Sequence, residues 1–284
     1  MAVNLIYKSV PTVALRGLVV FPGMRLHFEV GRSKSIAAFR AAVAENQKVF
    51  LVAQRNISYE DPTFEELFGF GVLANVKQIV KSPENKTVRV VVEGVCRAEI
   101  AEFLPNEDYL LCDVRERRSA AVKLSEEDYA DALMRKTKDI FEEYIDVTSK
   151  LARDVAMEVY ITQEPSHLAD FIAGNALTNF EDRQALLEEL NPLRRLEGLC
   201  SILSHEIEIS KIENLIEQRV QEQMDKNQQE YYLREQIKAI SAELGESEDS
   251  LGESEEYKSQ ILSLPLTQEV QKKLIRECGK LSKM

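Results

Sequence analysis

The chain has 284 residues, a length typical of two or three domains, and its 44% hydrophobic content is sufficient for a buried core. No apolar run approaches the ~20 residues of a membrane span, and the N-terminus lacks the basic and apolar segments of a signal peptide. The net charge of −12 argues against nucleic acid as the main partner. Four cysteines without metal-like spacing are typical of reduced thiols in a cytosolic protein: Cys96, Cys112, Cys200 and Cys278.

The first part of the chain is predicted to be rich in β-strands. Two short strands within residues 13–30 flank a turn signal, Phe-Pro-Gly, at residues 21–23. Ser33 is the predicted N-cap of a short helix with an apolar face at helical spacing. The residues of that face are Ile36, Phe39 and Val43.

Strand patterns continue as far as residue 116. Residues 48–54 are a nearly continuous apolar strand, and residues 71–95 are a hairpin with the five-residue turn SPENK. The segments RAEIAEF and YLLCDVR are predicted to complete the sheet. Strands mixed with one helix indicate a small sheet that is closed or strongly curved, and we assign residues 1–116 to it.

Helices dominate the rest of the chain, so the expected class is α+β. One helix begins at Ser125, and others are predicted at residues 150–161, 165–174 and 180–190. Their short connections predict a compact antiparallel bundle over residues 117–191. The apolar side of the first of these helices consists of Tyr129, Leu133, Ile140 and Tyr144.

One very long helix is predicted over residues 192–245. Asn191 followed by Pro192 is a start signal, and Gly245 is the candidate C-cap. At 1.5 Å per residue this helix would be ~80 Å long, whereas the mean helix has ~11–12 residues. Its first apolar stripe is the expected packing surface on the bundle and consists of Leu196, Leu199, Leu203 and Ile207.

This long helix, which we call the arm, is too polar in its middle for a globular core. Between Glu217 and Glu230 only two residues are apolar, so the arm either connects through solvent or lies along a partner in a narrow seam. Apolar residues spaced strictly by four wind around the helix by about 40° per step, which favours a short crossing between arms over an extended coiled coil. The predicted arm contacts are Val220, Met224, Tyr231 and Tyr232.

Two further segments follow the arm. Residues 246–256 are strongly acidic and are predicted to be a hinge. Residues 257–284 begin another helical region, with a short helix at 257–264 and a second one capped by Thr267. That pattern reaches Met284 without a stop signal, so we expect the protein to continue beyond it.

Motifs that carry catalysis are not recognised in the sequence. It contains no Gly-rich phosphate loop, no Gly-x-Ser-x-Gly and no His-Glu-x-x-His. The carboxylates are interpreted as members of solvated helix faces, and a Cys/His nucleophile pair stays open because spatial neighbours need not be sequence neighbours. We therefore expect no catalytic, cofactor-binding or metal-binding residue. The scattered histidines, interpreted as structural, are His27, His167 and His205.

Several segments resemble Lon-type ATP-dependent proteases. PTVALRGLVVFPGM and VRVVVEGVCRAEI look like the N-terminal domain of that family, and LLEELNPLRRLEGL is similar to the helical region that follows it. The most specific segment is QQEYYLREQIKAISAELGE. The resemblance covers nearly the whole chain in order, apart from the low-complexity acidic stretch.

The resemblance implies a PUA-like β-domain or pseudo-barrel, a helical bundle and a long helix that lead into an AAA+ ATPase module and a Ser-Lys protease domain. In the family this region captures unfolded or degron-bearing proteins and supports a homohexamer. The full-length enzyme would be cytoplasmic, would use ATP and Mg²⁺, and would degrade damaged, misfolded and short-lived regulatory proteins. No catalytic residue of the family falls within residues 1–284.

Two other classes stay open at this point. A free-standing holdase could cradle unfolded chains without ATP. A receptor built on the same β-domain could serve other machinery such as a ubiquitin ligase, although the segment YYLREQIKAI weighs against it.

The turn at residues 21–23 carries the candidate substrate-binding residues. Apolar side chains crowd this turn, where polar residues are usual. Strand alternation would place most of them in the core, whereas any that are exposed would form an apolar patch of the kind that marks a binding site. The candidates are Val19, Phe21, Pro22 and Met24.

Overall fold

Two compact units make up the structure, Met1–Lys211 and Ile212–Met284. Strands come first along the chain and helices follow, which confirms the predicted α+β class. The domain boundaries predicted at residues 116, 191 and 245 stay predictions. The residues that this computed structural model describes are 5–81, 87–148, 153–243, 257, 259–264 and 268–281.

Six strands form one sheet in the first unit. They are β1 (Ile6–Leu15), β2 (Arg25–Val30), β3 (Val49–Gln54), β4 (Leu67–Lys81), β5 (Val88–Leu104) and β6 (Leu110–Arg117). The order is β2-β5-β4-β3-β1-β6, and β5 also pairs with β6, so five of the strands close into a ring. The β1–β3 pair is parallel and the other pairs are antiparallel. This closure confirms the predicted strongly curved pseudo-barrel.

The length of β5 allows the ring to close. Its residues 88–93 pair with β2, and its residues 97–104 pair with β6, while β4 lies along the opposite edge of the strand. The segment RAEIAEF continues β5 without a break, so the prediction of a strand separate from the hairpin was wrong. Irregularities in the β4–β5 register accompany the curvature, as β-bulges do. The predicted turn SPENK lies outside the described residues.

The first helix, α1 (Ser33–Ala44), has a different face and cap from those predicted. Its N-cap is Arg32, which makes no side-chain capping hydrogen bond, and Val43 is 50% exposed. The helix packs its small residues against the sheet, because alanine allows a close approach, and Phe39 is its one large buried residue. The buried residues of α1 are Ser35, Ala38, Phe39 and Ala42.

Within the described residues between 127 and 243, five helices follow the sheet, close to the predicted positions. They are α2 (Glu127–Thr148), α3 (Arg153–Ile161), α4 (Pro165–Ala176), α5 (Phe180–Glu188) and α6 (Pro192–Glu243). The helix α6 has 52 residues, which confirms the long helix and its start at the Asn-Pro signal. Tyr129 does not join the core face of α2, since it is 52% exposed and its hydroxyl donates to Glu197 Oε1 at 2.6 Å.

A shared core joins the sheet and the helices of the first unit. One cluster of buried residues contains Val92 of β5, Phe21 of the turn, Leu168 of α4 and Leu196 of α6. A second, smaller cluster around Phe50 fills the interior of the ring. The first stripe of α6 is buried as predicted, at 0–4% exposure, and consists of Leu196, Leu199, Leu203 and Ile207.

The second unit begins within α6 at Ile212. It contains the rest of that helix, a helical stretch at residues 259–263 and α7 (Gln268–Leu281). Ile261 is 9% exposed, and its carbonyl accepts a hydrogen bond from Gln271 Nε2 at 3.4 Å. The predicted acidic hinge lies outside the described residues.

Candidate functional site

The turn between β1 and β2 is fixed to the middle of β5 by its backbone. Gly23 N donates to Gly94 O at 2.9 Å, and Gly94 N donates to Met24 O at 2.9 Å. Gly23 has a positive φ of 78°, which glycine adopts without strain. A Cβ on Gly94 would lie 2.3 Å from Phe21 O, so only glycine allows the turn to approach the strand this closely.

The candidate substrate-binding residues divide into a buried pair and a half-buried pair. Val19 and Phe21 are 1% and 0% exposed, so the expectation of an exposed patch is corrected for these two. The physical reason is that Phe21 points into the core, where a Cβ on Gly174 of α4 would lie 3.7 Å from its Cδ2. Pro22 and Met24 are half-buried and line cavities.

Two adjoining cavities lie between this turn and α4, with volumes of about 320 and 220 Å³. We call them together the junction groove. Both are lined by Pro22, Gly23, His167 and Asp170. The larger cavity adds arginines from β5 and from the end of β6, and the smaller one adds Met24, Leu26 and Phe171 together with Arg25 and Asn175. Arginines are therefore concentrated in the larger cavity, and the smaller one mixes apolar side chains with polar ones.

A buried ion cluster forms the floor of the groove and links the sheet to the helices. Arg97 of β5, Asp170 of α4 and Arg195 of α6 are 3%, 5% and 0% exposed. Arg97 Nη1 and Nη2 donate to the two carboxylate oxygens of Asp170 at 2.7 and 2.6 Å, and its Nε donates to Leu187 O at 2.9 Å. Arg195 Nη1 donates to Asp170 Oδ1 at 2.9 Å. One carboxylate thus holds two guanidinium groups, an arrangement that is stable only when its geometry and its other hydrogen bonds are good.

Arg195 satisfies the remaining hydrogen bonds of the cluster on the bundle side. Its Nε and Nη2 donate to Glu189 O at 2.9 and 2.7 Å, and Nη1 and Nη2 also donate to the hydroxyls of Ser166 and Ser119, each at 3.1 Å. All five N–H groups of this guanidinium are therefore bonded. Burial lowers the pKa of Arg195 to about 10, so the side chain remains protonated at neutral pH.

Sequence reasoning missed this cluster. It assigned the carboxylates to solvated helix faces, which is wrong for Asp170. The available signal was a single acidic residue within the apolar segment LADFIAGNAL, because a lone charge on a buried helix face requires a partner. His167, interpreted as structural, is exposed on the groove wall, where its ring stacks on Phe171 with a centroid distance of 6.1 Å.

The predicted arm contacts are all exposed within the second unit. Val220, Met224, Tyr231 and Tyr232 are 53–67% exposed. Their role as contacts stays a prediction. The exposure agrees with the inference that the middle of the long helix does not belong to a globular core.

None of the helices in the described part of the chain combines the length and apolar character of a membrane span. Groups of three or more side chains suited to hold a metal ion are absent from the same part of the chain.

Comparison with known proteins identifies the family. Residues 9–205 match the model of the ATP-dependent protease La (Lon) substrate-binding domain. The chain belongs to the Lon family. The Lon protease of Heliobacterium modesticaldum is 39% identical over 277 residues, and Lon protease 1 of Bacillus subtilis is 35% identical over 277 residues. Each match covers 98% of this chain, but the chain spans only about a third of either relative, 34% and 35%.

A solved Lon structure supports the same assignment. The N-terminal domain of Mycobacterium avium complex Lon protease has a TM-score of 0.56 and 27% sequence identity to this chain. The similarity covers 69% of this chain and 98% of that domain. The chain therefore contains a Lon N-terminal substrate-binding domain.

Proposed function

We propose that this chain is the substrate-recognition region of an ATP-dependent Lon protease and that unfolded or degron-bearing polypeptide binds in the junction groove. The observation that carries the proposal is the position of Pro22 and Met24. These apolar side chains are half-buried at the mouth of a groove between sheet and helices, within the part of the chain that matches the Lon substrate-binding domain. Concave sites with apolar walls and a few polar groups are typical of ligand binding.

The activity of the whole protein follows as part of this proposal. ATP with Mg²⁺ would drive unfolding, and a Ser-Lys dyad would cleave the peptide bonds, both in parts of the protein outside this chain. The intact enzyme would act in the cytoplasm on damaged, misfolded and short-lived regulatory proteins. Residues 1–284 would select those proteins and present them to the catalytic parts.

Substitution of Met24 by serine tests the groove. Removing the thioether side chain from an apolar wall is expected to weaken binding of unfolded polypeptide about five- to tenfold, which corresponds to about 1 kcal/mol of lost contact. Since Met24 is only half-buried, the free energy of unfolding should fall by about 1 kcal/mol or less. Fluorescence anisotropy of labelled, unfolded casein titrated with the 284-residue chain measures the affinity.

The matched control is Met157→Ser on α3. Met157 is 70% exposed and lies away from the groove lining, so the same chemical change should leave casein affinity within twofold of wild type. Equal affinities for wild type, Met24→Ser and Met157→Ser would refute the groove as the binding site.

The arm is proposed to support assembly of a homohexamer. Met224 is 60% exposed and Val220 is 53% exposed on a helix that is otherwise mostly polar, and methionine adapts readily to a partner surface. A short crossing buries well under the ~1,200 Å² of a stable interface, so isolated arms should associate weakly. In a hexamer, six tethered copies would raise the effective concentration of the arms, so that weak contacts between them would contribute to assembly.

Substitution of Met224 by glutamate should shift self-association of the chain to higher concentration by about tenfold, because a charge replaces an apolar contact. Sedimentation velocity across a concentration series measures the shift. Gln218→Glu is the control, since it adds the same charge at an exposed position about 120° around the same helix from Met224. If wild type and both variants are equally monomeric, and the intact enzyme still assembles with Glu at position 224, the arm is only a spacer.

A further inference from the structure

One side of β2 has no neighbouring strand. In the order β2-β5-β4-β3-β1-β6, β2 is the end strand, and among the described residues it pairs only with β5. The other five strands close into a ring, so β2 lies outside that closure. An unpaired strand side presents backbone N–H and C=O groups that can pair with another extended chain. We call this side of β2 the open edge.

The middle of β5 shows which backbone groups are used in the β2–β5 pair. Gly94 N donates to Met24 O, and Gly94 O accepts from Gly23 N, so both groups of Gly94 point toward β2 and its turn. Alternate residues of an antiparallel strand point their backbone groups to opposite sides. The β2–β5 register has no irregularity, so Val90 and Val92 of β5 also point theirs toward β2.

The backbone groups of β2 follow from this register. Leu26 and Phe28 lie opposite the two valines, so they exchange backbone hydrogen bonds with β5. The N–H and C=O groups of His27 and Glu29 therefore face the open edge. Both residues are exposed, and within the part of the chain that the structure describes no other element donates to these groups or accepts from them.

A cavity of about 510 Å³, which we call the edge cavity, lies beside the open edge. It is lined by Phe28, Glu29 and Val30 of β2 and by residues 13–16 at the end of β1. None of the described residues that line it belongs to β5, so the cavity lies on the open side of β2 and not over the paired side. Space for an added chain is therefore present next to the unpaired backbone groups.

The walls of the edge cavity suit apolar side chains. Val13, Leu15 and Val30 are at most 6% exposed, and Leu18 and Phe28 complete the apolar lining. The lining has as many acidic as basic residues, so its charge favours neither an acidic nor a basic occupant. These charged residues are Arg16, Glu29, Arg32 and Glu60.

The strand β2 connects the edge cavity to the junction groove. Arg25 and Leu26, at the start of β2, line the smaller cavity of the groove, and residues 28–30, at its end, line the edge cavity. The six residues of β2 span about 20 Å. An extended chain bound in the smaller cavity can therefore continue along the open edge into the edge cavity.

The geometry of the open edge matches the backbone of an extended polypeptide. His27 and Glu29 are two residues apart, about 7 Å along the strand, which is the spacing at which a second strand presents its own N–H and C=O groups. Side chains of that strand alternate between two faces, so every second one points toward the apolar walls. In this mode of recognition the backbone provides affinity, and pockets for alternate side chains provide specificity.

We propose that the open edge of β2 binds an extended segment of unfolded polypeptide as an additional strand, with every second side chain apolar. The segment exchanges hydrogen bonds with the backbone of His27 and Glu29. Its apolar side chains occupy the edge cavity and the smaller cavity of the junction groove. This inference rests on the proposed function and specifies the conformation and the sequence class of the bound polypeptide.

Two peptides with identical side chains test strand addition. Each is twelve residues long, acetylated and amidated, with Val and Ser alternating over eight central residues between flanking lysines. One carries N-methyl groups on three valines and the other on three serines, so each lacks N–H groups along one side of the extended chain. Fluorescence anisotropy with the 284-residue chain should show binding about tenfold weaker than that of the unmethylated peptide for one pattern, and within about threefold of it for the other.

A proline at position 27 tests the same hydrogen bonds from the side of the protein. His27→Pro removes an N–H group that faces the open edge, a position where sheets tolerate proline, and should weaken binding of the unmethylated peptide about tenfold. His27→Ala is the matched control, because it removes the side chain but keeps the N–H group. Its affinity should stay within about twofold of wild type.

Amide hydrogen exchange followed by NMR gives a readout that does not depend on whether the proline variant folds. In the wild-type chain, the unmethylated peptide should slow exchange of the His27 and Glu29 amides about tenfold or more. The amides of Leu26 and Phe28 are the internal control, because they already pair with β5 and should change little.

The outcomes separate this inference from the proposed function. Equal effects of the two methylation patterns, with no slowing at His27 and Glu29, would overturn strand addition, and loss of peptide binding in Met24→Ser would then leave the junction groove as the site. Slowing of the same amides by raised protein concentration alone would also overturn it, because two copies of β2 would then pair with each other. Failure of the unmethylated peptide to bind would overturn this inference, and would overturn the proposed function as well if Met24→Ser left casein binding unchanged.

Discussion

Replacing Asp170 with asparagine is expected to lower the free energy of unfolding by about 3–5 kcal/mol, as for other buried pairs that lose one partner. The substitution removes the carboxylate that, among the described residues, holds both Arg97 and Arg195, whose side chains are 3% and 0% exposed. The amide nitrogen of asparagine would also point a donor at guanidinium donors. The chain has nine tyrosines and no tryptophan, so urea unfolding is followed by tyrosine fluorescence together with circular dichroism.

Asp61→Asn is the matched control for this prediction. Asp61 pairs with Lys34 at 2.6 Å, but its side chain is 63% exposed. Exposed pairs contribute about 0–1 kcal/mol, so the same change of carboxylate to amide should have a small effect at position 61. A loss below 1 kcal/mol for Asp170→Asn would mean that the buried cluster contributes no more than a surface ion pair.

The long helix shows which features of a fold sequence reasoning can predict. Its start at Pro192 depends on a proline signal that acts within a few residues, so the sequence contains this information locally. The predicted C-cap, Gly245, lies outside the described residues. The placement of its first stripe in the core also followed from spacing alone. Most strands of the sheet were predicted for the same reason, since their apolar character is a local property. The first strand was misplaced, because β1 covers Ile6–Leu15 whereas the predicted strand begins at residue 13.

The face of α1 shows where the same reasoning fails. Helical spacing predicted a face of Ile36, Phe39 and Val43. Phe39 is buried and Ile36 packs against the core, but Val43 is 50% exposed, and the fully buried face also includes Ala38 and Ala42. The helical spacing of the apolar residues was predicted correctly, but which face of the helix is buried depends on how closely the sheet approaches it. That distance is a tertiary property, and small residues are buried where it is short.

The buried ion cluster could not be assembled from the sequence for a related reason. Asp170 is 73 residues from Arg97 and 25 residues from Arg195, so no spacing rule connects them. The isolated acid on an apolar helix face indicated only that some partner must exist. The junction groove depends on that cluster, so its arginine-lined cavity was also outside the reach of motif analysis, whereas the turn that lines both cavities was identified.

Replacing Phe21 with alanine is expected to lower the free energy of unfolding by about 3–5 kcal/mol, the usual cost of a large cavity in a core. The side chain is 0% exposed and belongs to the cluster that joins the sheet to α4 and α6. The surroundings cannot collapse easily, because the backbone of the turn is bonded to Gly94 of β5 through the N–H of Gly23 and the carbonyl of Met24. Urea unfolding measures the change.

Phe103→Ala is the control for this last prediction. Phe103 is 42% exposed and contacts Phe64 with a ring-centroid distance of 4.2 Å, so its removal should cost about 1–2 kcal/mol and leave the shared core intact. Comparison of Phe21→Ala with Phe103→Ala also tests whether each apolar side chain of the turn stabilises the core or contacts the polypeptide. A large loss of stability for Phe21→Ala assigns this residue to the core and leaves Pro22 and Met24 to contact the polypeptide. Weaker casein binding with unchanged stability would instead mean that Phe21 leaves the core to reach the substrate, as the sequence pattern first indicated.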